Sequence, residues 1–277
     1  MCRWLGYVGA PIEPRELLYD PERSLIEQSR QHAPGMPVPN GDGFGLGWYG
    51  RREVPALFHS DAPAWGDRNL ATLSAEVCTP MFLAHVRAAT GTPVQETNCH
   101  PFAAGRWMFV HNGYVADHAR LRRDLVLAVR PDLFGSILGT TDSEVLFLLA
   151  ITFGLLEDPL PALERMAGFV ESVAAASGVA DPLQMTLGLT DGARLHAVRY
   201  ASGGEPNTLW SSADVETLRL LYPERERFAH FSPGARVVVS EPLVALPGAW
   251  QEVPAGSALV VAEDGVEQLP FVPRPPG

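Results

Sequence analysis

The order in which hydrophobic periods follow one another restricts the fold of this chain more than any single residue does. Strand-like runs dominate up to residue 113, helix-like runs fill 117–177, and strand-like runs return from 183 onward. A parallel α/β sheet needs a helix after each strand, so this order predicts an α+β sandwich. Aromatic and β-branched residues mark strands over 2–9, over the glycine-spaced run beginning at Phe44, and over 57–60, 81–90 and 106–113. Helical spacing predicts short helices over 22–31 and 67–78 and longer ones over 117–129, 142–155 and 160–177, with Thr141 or Asp142 capping 142–155. Asp191-Gly192 predicts a tight hairpin between 183–190 and 193–200, and further strands follow at 207–212, 235–240 and 257–263. No repeat or long linker divides the chain. One domain is therefore expected over 1–265, with a proline-rich tail, 266–277, that holds no structure of its own.

A chain of 277 residues, 46 % of them hydrophobic, can bury a core that needs no disulfide or metal staple. Its net charge of −11 argues against a surface that tracks phosphates, so nucleic acid is not an expected partner. All 21 basic residues are arginine. Without lysine there is no Schiff base, no pyridoxal phosphate anchor and no Walker A loop, and the absence of GxGxxG after a strand points away from a dinucleotide fold. No cofactor is expected. Three cysteines, Cys2, Cys78 and Cys99, lack CxxC spacing, which suggests neither a disulfide framework nor a zinc site and makes the cytoplasm the expected compartment. The first residues are too short an apolar stretch for a signal peptide, and no run of 18 apolar residues occurs, so no membrane partner is expected.

Cys2 directly follows Met1. Removal of that methionine would leave a thiol and a free α-amine on one residue. An α-amine titrates at about 7.7–8.0 and a free thiol at about 8.5. Near neutral pH the amine can therefore take the thiol's proton, directly or through a water, without a catalytic histidine. A cysteine at position 2 means little by itself. Its weight comes from four polar clusters near element ends: Asn40-Gly41-Asp42-Gly43, His85 to Thr90, His111-Asn112-Gly113 and Thr141-Asp142-Ser143-Glu144. Each alone would fit a turn, a helix cap or a surface ion pair.

Together with the start MCRWLGYVG, the segments NGDGFGLGWY (40–49), AHVRAATGT (84–92), NCHPF (98–102), FVHNG (109–113) and TTDSE (140–144) resemble the class II glutamine amidotransferases, a branch of the N-terminal nucleophile hydrolases. Within that family the chain looks closest to the stand-alone YafJ-like proteins and is more distantly similar to the ergothioneine-pathway γ-glutamyl hydrolase. The resemblance is dense over 1–150 and weaker over 180–265. It implies a four-layer αββα sandwich with the nucleophile at the end of a central strand. It also implies roles: Cys2 as nucleophile, Asn112 and Gly113 as oxyanion donors, Arg87 as binder of the substrate α-carboxylate, Asp142 as binder of the α-ammonium group, and Thr90 as a further hydrogen bond to the head group. These roles suit a γ-glutamyl substrate, whose head is a zwitterion and whose γ-carbonyl is attacked.

The remaining polar and aromatic candidates read as structural. His85, His100 and His111 could be mistaken for a zinc triad, but no carboxylate spacing supports one. Cys99 and His100 are adjacent on an extended segment and so face opposite sides. Cys78 reads as a small core residue, and Trp48, Tyr49 and Trp107 as core aromatics. The family's glutamine-dependent sugar-phosphate synthases carry Trp after the arginine, where this chain has Ala88, and they carry a synthase domain for which this sequence has no counterpart. Both departures favour hydrolysis of glutamine or a γ-glutamyl conjugate, with the leaving-amine pocket built by loops such as 30–43 and 59–68. The alternatives are a glutaminase subunit that supplies ammonia to a separate synthase and an inactive γ-glutamyl-binding protein.

Overall fold

One residue after Cys2 begins β1 (Arg3–Ile12), whose side chains alternate between two environments. Leu5 and Tyr7 pack against helices on one face, whereas Trp4 and Val8 pack against a second sheet on the other. The computed structural model describes residues 2–31, 39–89 and 91–276. Met1, Thr90 and residues 32–38 of the expected 30–43 loop lie outside the described residues. After β1 come α1 (Arg15–Leu18), α2 (Leu25–Arg30), β2 (Phe44–Trp48), β3 (Ala56–Ser60), α3 (Arg68–Glu76), β4 (Thr79–Val86), β5 (Phe102–Ala104) and β6 (Trp107–Val115). The helical middle is α4 (His118–Leu127), α5 (Asp142–Thr152) and α6 (Pro159–Ala176). Then follow β7 (Leu183–Thr190), β8 (Leu195–Ala201), β9 (Trp210–Ser212), α7 (Val215–Leu221), β10 (Arg236–Val239), β11 (Trp250–Glu252), β12 (Ser257–Ala262) and β13 (Gly265–Pro270).

The strands form a seven-stranded sheet, ordered β11-β9-β10-β1-β4-β2-β3, and a six-stranded sheet, ordered β13-β12-β8-β7-β6-β5. Trp4, Leu83, Met108, Val110, Leu195 and Val261 fill the space between them. On the outer face of the six-stranded sheet, Phe109, Leu187 and Val198 pack on Leu146, Phe147 and Met166 of α5 and α6. On the outer face of the other, Leu5, Tyr7 and Phe82 meet Leu17, Leu25 and Leu70 of α1 to α3. The result is the four-layer αββα sandwich that the sequence resemblance implied. Helix α5 has apolar residues on every side, and every residue from Ser143 to Ile151 is buried, as expected for a helix inside a layered core.

Two expectations fail. The proline-rich end is docked: β13 pairs with β12 from Ala262↔Gly265 to Ser257↔Pro270, so the boundary expected at 265 falls inside a hairpin. Beyond it Phe271 is buried, and the N–H groups of Val272 and Arg274, between prolines that have none, donate to Glu164 Oε1 at 3.0 Å and Glu164 O at 3.1 Å. Cys78 is exposed rather than core, because α3 ends at Glu76 before reaching it. Strands β5 and β11 and helix α1 went unforeseen because three or four residues are too few to display a period. Among the described residues no helix is long and apolar enough to cross a membrane.

Candidate active site

Cys2 lies two residues before Trp4 and so shares its face, pointing between the sheets. The Cys2 Sγ accepts a hydrogen bond from Ala88 N–H at 3.4 Å and lies 3.5 Å from the Ala88 carbonyl oxygen. Burial pushes the Cys2 thiol above its ordinary range; the Ala88 N–H and the Arg87 guanidinium partly offset that, and Asp142 adds to it. On β6, Met108 and Val110 face the same interlayer space, which places Asn112 on that face by alternation. Asn112 is paired with Thr186, whose hydroxyl donates to Asn112 O at 3.3 Å and accepts from Trp4 Nε1 at 3.3 Å. The strand end bearing Asn112 is thereby tied to the strand that begins behind the thiol. At Gly113 a Cβ would come within 1.8 Å of Gln184 O, so only glycine fits.

Arg87 follows the last residue of β4 and is 2 % exposed. Its guanidinium donates to Asp42 O at 3.1 Å, Thr92 Oγ1 at 2.7 Å and Pro93 O at 3.0 Å. The Asn40-Gly41-Asp42-Gly43 cluster clamps the same segment. Arg87 N–H donates to Gly43 O, Asp42 N–H to Arg87 O, and Ala89 N–H to Asp42 Oδ2 at 2.8 Å. Gly43 adopts φ +113° with Cys99 Sγ where a Cβ would stand, a position for glycine alone. Among the described residues no carboxylate pairs with Arg87.

Asp142 opens α5, with Thr141 as its N-cap: Thr141 Oγ1 accepts from Glu144 N–H at 3.2 Å. The Asp142 carboxylate accepts from Val115 N–H and Ser143 N–H, both at 2.7 Å. Those two N–H groups fix the orientation of the carboxylate at the start of α5. No cation pairs with it among the described residues, and a carboxylate retains lone pairs after accepting these bonds.

The three histidines that read as structural are buried and held neutral. Burial takes His85 down to about 3, drives His100 well below its ordinary value and lowers His111, the last against the pull of Asp142. The His85 and His100 rings meet tilted at 33° with centroids 4.2 Å apart, and His111 Nδ1 meets Ser143 Oγ at 2.9 Å. Cys99 is buried, with Sγ 3.3 Å from Ser60 O, and burial raises its thiol to about 11, which favours the protonated form. Tyr49 and Trp107 are core residues and Trp48 is packed against the core.

Cys2, Arg87, Gly113 and Asp142 line one cavity of about 590 Å³. Asn112, beside Gly113 on β6, is buried and is not among the residues that line it. Thr90 falls outside the described residues. Loop 59–68 contributes nothing to the described wall; Tyr114, His118 and Arg122, from the end of β6 and from α4, do, and sequence reasoning passed over them. It also passed over Asn98, although NCHPF was among the matched segments. A smaller apolar cavity of about 70 Å³ beside α7 shares no residue with this one.

The chain is similar to known proteins in sequence and in fold. A family model described as class-II glutamine amidotransferases matches residues 28–209. The probable glutamine amidotransferase DUG3 of Saccharomyces cerevisiae is 29 % identical, over 98 % of this chain and 85 % of its own. The γ-glutamyl-hercynylcysteine sulfoxide hydrolase of Mycolicibacterium smegmatis is 30 % identical over 92 % of each chain. A solved glutamine aminotransferase class-II domain protein from Silicibacter pomeroyi, 30 % identical, covers 99 % of this chain and 100 % of its own with a TM-score of 0.75. Sequence, fold and the matched motifs agree that the chain belongs to the class II glutamine amidotransferase family and is an enzyme of the N-terminal nucleophile hydrolase type.

Proposed function

We propose that the protein hydrolyses the γ-amide of a γ-glutamyl conjugate or of glutamine through a γ-glutamyl thioester on Cys2. The observation that carries this reading is a pair of unanswered charges beside a thiol. A guanidinium and a carboxylate that have no partner of opposite sign among the described residues face one cavity, and a zwitterionic glutamyl head would answer both. Arg87 offers a planar fork to the α-carboxylate, Asp142 accepts from the α-ammonium group, and Thr90 adds a hydrogen bond to the head.

In this reading Met1 is removed and the freed α-amine takes the thiol proton. The thiolate attacks the γ-carbonyl, and the oxyanion rests on the Asn112 side-chain N–H and the Gly113 backbone N–H, each such donor contributing ~2.7–4 kcal/mol. The amine then leaves with a proton, and water hydrolyses the thioester to release glutamate. The relative from Mycolicibacterium smegmatis is named for hydrolysis of a γ-glutamyl conjugate, which supports a substrate larger than glutamine.

The test is glutamate release by protein whose Met1 removal is confirmed by intact mass, from glutamine and from a panel of γ-glutamyl amides and peptides. Release from conjugates is expected, and Cys2→Ala should lower it by at least about 10³-fold while glutamate still binds. Release mainly from glutamine would point to an ammonia-consuming synthase as partner. Binding without turnover by the processed protein would leave a γ-glutamyl-binding role instead.

A further inference from the structure

Arg87 and Asp142 come from segments far apart in sequence, and a ligand that touches both requires a set distance between them. We propose that Asn98 is the positioning residue that sets this span, and with it the selectivity for ligands that carry both an α-carboxylate and an α-ammonium group. The proposal rests on the reading that these two residues hold a glutamyl head.

Asn98 is 0 % exposed, and both ends of its side-chain amide are engaged. Its Nδ2 donates to Pro93 O at 3.0 Å and to Thr140 Oγ1 at 3.1 Å, while its Oδ1 accepts from Thr140 N–H at 2.8 Å. The Pro93 carbonyl is the same oxygen that accepts from Arg87 Nη2 at 3.0 Å. Thr140 precedes Thr141, the cap of α5, and Asp142 follows at once. One buried amide thus stands two hydrogen bonds from the guanidinium and two residues from the carboxylate. Thr140 Oγ1 also lies 3.4 Å from Asn98 Oδ1, and among the described residues every hydrogen bond that joins 87–98 to 138–144 is made by Asn98.

The segment before Asp142 is built to meet this amide. Leu138 N–H and Gly139 N–H donate to the two oxygens of buried Glu144, at 2.9 and 2.8 Å, and Thr140 N–H goes to Asn98. Glu144 belongs to α5, so it ties the strap only to its own helix. Asn98 ties it to the Arg87 loop. At Gly139 a Cβ would sit 2.5 Å from Asn98 Oδ1 and 2.6 Å from Thr97 O, so the close approach requires glycine there. A satisfied, fully buried amide of this kind holds its partners in one geometry, because leaving any arm unmade strands a desolvated polar group.

The readout is the ratio of dissociation constants for L-glutamate, which carries both groups, and glutarate, which lacks the amine. Wild-type protein is expected to prefer glutamate. In Asn98→Ala that preference should fall by about tenfold, and in Asn98→Asp, which keeps the acceptor and loses the donor, by less, with glutarate binding changed less than about twofold. For γ-glutamyl-p-nitroanilide, KM should rise while kcat stays within about threefold. Equal weakening of both ligands, or an unchanged ratio in a folded variant, would show a purely structural role and overturn the proposal; so would a wild-type protein that does not distinguish the ligands. If the wild type prefers glutamate yet hydrolyses no γ-glutamyl amide, the proposed reaction fails and the binding ratio alone judges Asn98. Should neither variant fold, Gly139→Ala, which presses on Asn98 without removing it, carries the same expectation and the same refutation.

Discussion

Asp142 enters the cavity from the first turn of a helix buried on all sides, whereas Arg87 enters it from a strand end that leads into residues 88, 89 and 91–94, none of them buried. The helix side takes its geometry from packing: Leu146, Phe147 and Leu149 lock α5 between α6 and the six-stranded sheet. The loop side has no such core. Its geometry comes from hydrogen bonds to Asp42, Thr92 and Pro93, with Asn98 bracing Pro93 from behind. Packing is cooperative over a whole layer, so damage to it is felt as lost stability. A hydrogen-bonded loop can lose one tie and stay folded, so damage there should be felt as lost binding.

The largest expected effect lies on the packed side. Leu146→Ala removes a side chain that is 0 % exposed and should cost about 2–5 kcal/mol of stability. Denaturant unfolding measures that cost, and the folded fraction should keep its KM. A loss below about 1 kcal/mol would mean that α5 is not the rigid partner described here. A smaller and different effect is expected on the loop side. Asp42→Asn replaces the charged acceptor of Ala89 N–H and should raise KM for a γ-glutamyl substrate by about tenfold, with stability changed by less than about 1 kcal/mol. If instead stability falls and KM holds, the contrast between the two sides is broken.

The smallest effect sharpens the contrast electrostatically, because the two sides push the nucleophile in opposite directions. Burial sets the Cys2 thiol above its ordinary value, Arg87 draws it down and Asp142 drives it up. The inflection in alkylation rate against pH should therefore lie above that of a free thiol. It should move up in Arg87→Gln, where a stabilising positive charge is lost, and down in Asp142→Asn, where a repelling negative charge is lost, each by less than about one pH unit. Shifts in the same direction would place one of the two charges away from the thiol.

Much of this was legible in the chain. The strand, helix, strand order predicted the sandwich, and the matched motifs named Cys2, Arg87, Gly113 and Asp142, which the fold brings to one cavity. Asn112 needed only the alternation of β6 to be placed between the sheets. The supports of these residues were not legible. Asp42 reaches Ala89 across 47 positions and Asn98 reaches Thr140 across 42, and nothing local at either end marks the pairing. The docked tail escaped notice for a related reason: its prolines suggested a chain without partners, while Glu164, more than a hundred residues earlier, supplied acceptors for the N–H groups between them.

The sequence by itself determined which residue types could attack, bind and donate, and where helices and strands would run, since chemistry and hydrophobic period belong to neighbours along the chain. The tertiary structure alone decided the distance between the two charges, the choice of Asn98 as their brace and the composition of the cavity wall. Those depend on which apolar faces bury one another, and the free energy of that burial is set by contacts between segments rather than within them.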